Sequence, residues 1–307
     1  MARDVPLAVL GALTNVVLVL ALSPFFQGVL RKLTARIQSR QGPPLAQPYY
    51  DLLKLLGKED LESGEVPLVQ RFAAYLALGS ILAVAGLVPL GFRAPLSGAG
   101  DVVVLIYLLM LSGVCTLVAG LASGSTFSLL GTSREMMTMI ALEPVLAVAM
   151  VVGVLHARSF RLDAVLDGSV YAAAVPASGL AMLIVMLFAF QAFVGRVPFD
   201  LAEAETEIME GPLVEYSGRK LALFKYAQMV KLVVHGALFV ALFAPFGSRL
   251  PFPLGFALFW VKVLLLVVFV TLVAATHARY RIDQAIRYYA ALLAVSFGAL
   301  ALASYGL

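Results

Sequence analysis

Six carboxylates lie within sixteen residues, Asp200, Glu203, Glu205, Glu207, Glu210 and Glu215, in the segment RVPFDLAEAETEIMEGPLVEYSG that runs from Arg196 to Gly218. They are a third of the 18 acidic residues in the chain. Crowded carboxylates do not titrate independently. A neighbouring negative charge opposes ionisation, so one member of a close set keeps its proton to higher pH. Groups raised toward neutrality can take up and release protons at ordinary pH, so the chemistry implied is proton storage and transfer. A solvated acidic loop has the same composition, but this segment sits directly between two apolar stretches. Its spacing predicts a short helix opening at Pro198 or Asp200, with Asp200 as N-cap and Glu203 three residues on. Gly211-Pro212 ends it. On such a helix Glu203, Glu207 and Glu210 share a face, Asp200 adds to it, and Glu205 points elsewhere.

Four further titratable residues, Glu143, Lys231, His235 and Lys262, stand inside apolar runs. A charge at the middle of a bilayer costs about 2.5–3.5 kcal/mol on insertion scales, so such residues face a bundle interior or a water path. Pro144 follows Glu143, removing a helix hydrogen bond and freeing a carbonyl beside it. Lys231 and His235 are spaced i,i+4, which permits a proton relay between them. A Glu–Lys pair that only fastens helices together uses the same residue types. Cys115 is the one cysteine, and His156, His235 and His277 are scattered without ligand spacing. The chain is therefore expected to bind no metal or cofactor. With no glycine-rich nucleotide pattern and no nucleophile–base arrangement, it is expected to catalyse nothing alone.

These residues need elements to hold them, and the composition says which kind. The chain of 307 residues is 62% hydrophobic and 13% charged, with mean hydropathy +0.96. Soluble domains are about 25% charged, and this much apolar surface requires a bilayer as solvent. The apolar runs are continuous and rich in Leu and Ala, not alternating, which argues against a β-barrel. The predicted fold is an all-α integral membrane protein forming one transmembrane domain over residues 1–307. Eight spans are predicted, at about 6–30, 68–91, 101–123, 135–156, 175–195, 220–245, 253–276 and 286–305. The first lacks a cleavage site and is too long for a signal peptide. If the loop after it is inside, inner segments carry fifteen Lys and Arg residues and outer ones five, a positive-inside bias that puts both termini outside. The net charge of +4 thus reflects topology, not nucleic-acid binding. QPYYDLLKLLGKED in the first inner loop predicts a short amphipathic helix on the membrane surface.

The order of RIQSRQGPP, DLLKLLGKED, buried Glu143, RVPFDLAEAETEIMEGPLVEYSG and ARYRIDQ resembles subunit 1 of respiratory complex I and its relatives in group 4 membrane-bound [NiFe] hydrogenases, over nearly the whole length. SREMMTMIALEPVL and EAETEIMEGPLVEYSG resemble the hydrogenase and formate-hydrogenlyase versions. The resemblance implies a membrane-anchoring and proton-coupling subunit in the cell inner (cytoplasmic) membrane. Its implied partners are peripheral hydrogenase large and small subunits, an iron–sulfur subunit and antiporter-like membrane subunits; the nickel–iron centre and iron–sulfur clusters would lie in partners. Glu143, Asp200, Glu203, Glu205, Glu207, Glu210 and Glu215 match the family's acidic positions. Arg36, Arg40, Arg196, Arg279 and Arg281 match inner basic positions that hold the peripheral arm. The alternatives are the quinone-site subunit of an NADH:quinone oxidoreductase and a stand-alone ion transporter.

Overall fold

Apolar side chains without strand-like alternation favour the one conformation that satisfies every backbone polar group within its own segment. In the computed structural model of the chain, which describes residues 4–61, 66–92, 94–166, 176–247 and 250–306, the regular elements are helices. They are α1 (Asp4–Ile37), α2 (Gln47–Leu56), α3 (Pro67–Leu87), α4 (Val102–Ala122), α5 (Thr126–Ala157), α6 (Leu162–Val165), α7 (Ala177–Phe193), α8 (Glu205–Ile208), α9 (Gly218–Phe243), α10 (Leu254–Thr276) and α11 (Ile282–Ser304). Seven of them, α1, α3, α4, α5, α9, α10 and α11, are long and apolar enough to cross a membrane, and the chain is a multi-pass membrane protein. The eighth predicted span, 175–195, corresponds to α7, which is apolar but has 17 residues. At 1.5 Å per residue it reaches about 26 Å, short of a hydrocarbon core of about 30 Å.

Two spans run past their predicted ends. The first continues through the basic tail to Ile37 and the fourth begins at Thr126, nine residues before the expected 135. A hydropathy reading stops where charge enters, whereas helix hydrogen bonds continue. The surface helix forms as expected. α2 leans back on α1 through Arg31–Asp51 at 2.7 Å and through the Tyr49 hydroxyl, which donates to the Ala21 carbonyl. Leu52 is its buried leucine, while Leu53 stays exposed.

The bundle is organised around α9, which packs against α1, α2, α3, α7 and α10. Of the most apolar stretch of α9, 78% of residues are buried, against 28% for α1, α10 and α11. The outer helices turn Leu13, Val17, Leu265 and Phe297 outward, the surface expected where lipid or a neighbouring apolar subunit replaces water.

The acidic segment departs from expectation. Residues 198–210 do not form a helix capped by Asp200. Only the four-residue α8 and a 3₁₀ turn at Gly211–Leu213 are helical, so Glu203, Glu207 and Glu210 share no helix face. Two physical reasons are visible. A helix would stack like charges at i,i+4 spacing, whereas the irregular path lets Asp200, Glu207 and Glu210 each meet a separate cation. The path is also wedged by backbone packing. Gly211 has φ +54°, and a Cβ there would overlap the Ala202 carbonyl oxygen; one on Gly131 of α5 would lie 2.7 Å from Gly211 Cα. No side chain fits either place, and a positive φ is where glycine is favoured.

Candidate functional site: a carboxylate-lined cavity

Helices present one side every three or four residues. Three helices turn such a face toward a common space of about 120 Å³. α5 contributes Glu135, Thr138, Met139, Leu142 and Glu143, an i, i+3, i+4, i+7, i+8 stripe; α9 contributes Phe224, Ala227, Gln228 and Lys231; α4 contributes Ser112, Gly113 and Thr116. The remaining wall is the end of α7 with the following loop, including Arg196, Asp200 and Glu203. Four carboxylates and two cations therefore surround one cavity between the acidic segment and the bundle interior.

The four acids are held differently. Glu143 has Oε2 buried with no hydrogen-bond partner among the described residues. Glu203 accepts a hydrogen bond from the Gln228 amide on α9. Burial pushes the Glu203 carboxyl up to about 7; the charges of Asp200 and Glu135 add to the rise, while Lys225 and Arg196 oppose it. Burial dominates because the charged form loses water that fixed dipoles only partly replace. Asp200 is paired with Arg279 at 3.1 Å, and Arg279 also donates to Thr206 Oγ1 at 3.0 Å. Glu135 is the member that sequence reasoning misses. It stands at the first position of the predicted span 135–156, beside Arg134, where a charge reads as the edge of a helix; its signal is the i, i+8 stripe it shares with Glu143, and α5 in fact begins at Thr126.

The rest of the acidic segment leads outward. Glu210 pairs with Lys225 at 3.3 Å, and Glu207 pairs with Arg134 at 2.7 Å. The Arg134 hydrogen bond and charge hold the exposed Glu207 carboxyl below the usual carboxylate range. Glu215 is exposed, and the Glu205 side chain lies outside the described residues.

The remaining expected residues are placed as follows. Lys231 and His235 are one turn apart, but the His235 Nδ1–H donates to the Lys231 backbone carbonyl at 2.9 Å and the ring stacks on Phe193. That bond commits Nδ1 to the backbone as a donor and leaves Nε2 as the ring nitrogen able to exchange a proton. Lys262 is away from this cavity. It donates to the carbonyls of Ala244, at 2.7 Å, and Phe246, beyond the end of α9, and lies over the Phe246 ring. There it satisfies carbonyls left open at a helix C-terminus. Arg196 faces inward, lines the cavity and donates to the Gln27 side chain at 2.8 Å, whereas Arg36, Arg40 and Arg281 are exposed.

A protein-family model described as NADH dehydrogenase matches residues 10–304. Hydrogenase-4 component C of Escherichia coli (strain K12) is 37% identical over 271 residues, 88% of this chain and 86% of that protein. Formate hydrogenlyase subunit 4 of the same strain is 33% identical, covering 90% and 92%. NADH-quinone oxidoreductase subunit 8 of Thermus thermophilus is 32% identical, covering 91% and 80%. Among solved structures, a chain of the membrane-bound sulfane sulfur reductase, an archaeal respiratory membrane complex, superposes with TM-score 0.86 at 26% identity, covering 96% of this chain and 99% of that one.

Proposed function

The chain belongs to the NADH dehydrogenase family, and from that premise we propose that it is the membrane-anchoring, proton-coupling subunit of an energy-converting redox complex of the hydrogenase type. Its relatives are named as components of hydrogenase-4, formate hydrogenlyase and NADH-quinone oxidoreductase. The two hydrogenase-type relatives cover 88% and 90% of the chain at 37% and 33% identity. On this reading the redox metals sit in partner subunits, the exposed Arg36, Arg40 and Arg281 face a peripheral arm, and antiporter-like subunits adjoin the apolar flank. The complex lies in the cytoplasmic membrane with both termini of this chain outside.

The observation that carries the reading is the gathering of Glu135, Glu143, Asp200 and Glu203 around one cavity, continued outward by Glu210 and Glu207 on their own cations. Interacting carboxylates titrate as a set, so a change of charge or proton demand at the acidic segment is felt at Glu143. Coupling then requires a group at each end that can change protonation. Replacing Glu203 or Glu143 with Gln is expected to leave the assembled complex and its electron transfer in place while cutting proton translocation by about a hundredfold, the low end of a proton-transfer contribution. Normal translocation in both variants, measured with a pH-sensitive dye in proteoliposomes, overturns the proposal. Quinone-site inhibitors are expected to leave turnover unchanged; inhibition assigns the chain to the quinone-reducing type.

A further inference from the structure

α9 carries Lys225, Gln228 and Lys231 at steps of three residues, about 4.5 Å of rise each. Lys225 pairs with Glu210, Gln228 donates to Glu203, and Lys231 lines the cavity with Glu143. The helix thus meets three carboxylates with two charged rungs and an uncharged one between them. The uncharged rung is the one that touches Glu203.

We propose that Gln228 is a positioning residue that holds the Glu203 carboxyl at the cavity in both of its protonation states. An amide suits this task because of its donor and acceptor inventory. Its NH₂ donates to a carboxylate, and its carbonyl oxygen accepts from the O–H of a carboxylic acid. A lysine at 228 could only donate and would fix Glu203 as the anion. An apolar side chain would offer nothing to either form and would leave burial to favour the acid. The groups facing Glu203 are Lys225 and Lys231 from α9, Glu135 and Glu143 from α5, and Asp200 and Arg196 from its own loop. Among these Gln228 is the neutral member, so it supplies contact without adding net charge.

This inference rests on the proton-coupling reading, and the test separates the two. Infrared difference spectroscopy on the purified complex follows the Glu203 carboxyl C=O band against pH, with Glu203→Gln assigning it. Gln228→Met is expected to move the Glu203 midpoint up by about one pH unit, because the amide's charge-assisted bond to the anion exceeds its bond to the acid by about that much, and Gln228→Lys to move it down by about one. The two side chains are similar in length to glutamine, so packing is kept. A midpoint unchanged in both variants overturns the inference. Opposite shifts support it. If they occur while the pH profile of proton translocation stays as in the unaltered complex, the positioning role stands and the coupling role of Glu203 falls.

Discussion

Glu203 is the residue at which the proposed chemistry becomes measurable without turnover. Its carboxyl titrates at about 7 in the folded protein against an ordinary value of 4.5. Between those two values the folded chain holds a proton that the unfolded chain has released. Stability therefore falls as pH rises through this window and levels off above it. The slope for one proton is at most about 1.4 kcal/mol per pH unit. Thermal unfolding of the detergent-solubilised complex across this window is expected to show the decline, and Glu203→Gln is expected to flatten it. A Glu203→Gln variant with the slope of the unaltered protein shows that other groups carry it. Glu207 does not have this property, because Arg134 favours its charged form. The two are four residues apart, and what separates them is one cation at 2.7 Å and exposure to water.

At the scale of elements, the hydrophobic runs are readable because continuous apolar sequence leaves few alternatives to a helix. The amphipathic α2 is readable from its leucines beside charged residues. The shape of 198–213 is not. Its charge spacing fits a helix, but Gly211 answers to Gly131, 80 positions earlier in the chain, and local sequence carries no record of that contact. For the same reason the acids stand out as a group while their geometry stays hidden, and Glu135 does not stand out at all. Lys262 shows in the sequence as a charge within an apolar run, but that it donates to the carbonyls of Ala244 and Phe246 is not something local sequence can assign. The wedge is testable. Gly211→Ala must place a methyl group where the Ala202 carbonyl oxygen lies and adopt a positive φ. It is expected to destabilise by more than the about 1–2 kcal/mol that left-handed backbone alone costs. Gly79→Ala on α3 meets nothing within 4 Å and is expected to stabilise by up to about 1 kcal/mol. Unfolding midpoints of the two variants, compared with the unaltered chain, check both signs.

For the whole molecule, the asymmetry of basic residues predicts the acidic segment, α2 and the loop before α11 on one side, and that side inside. The lone Cys115 is buried, so added cysteines report topology cleanly. A cysteine at Tyr305, which is 83% exposed, is expected to react with a membrane-impermeant maleimide in intact cells, and one at Arg40 only after permeabilisation. The reverse pattern inverts the orientation. The seam between Gly131 and Gly211 bears on what can pass through the molecule. A flap needs slack at its root, and two backbones in van der Waals contact have none. Across this seam a signal from the surface acids toward Glu143 is expected to travel as something smaller than main-chain movement: a turned side chain, a shifted water, a hydrogen ion changing owner. Such a junction can be fast, because no backbone has to move before the next event begins.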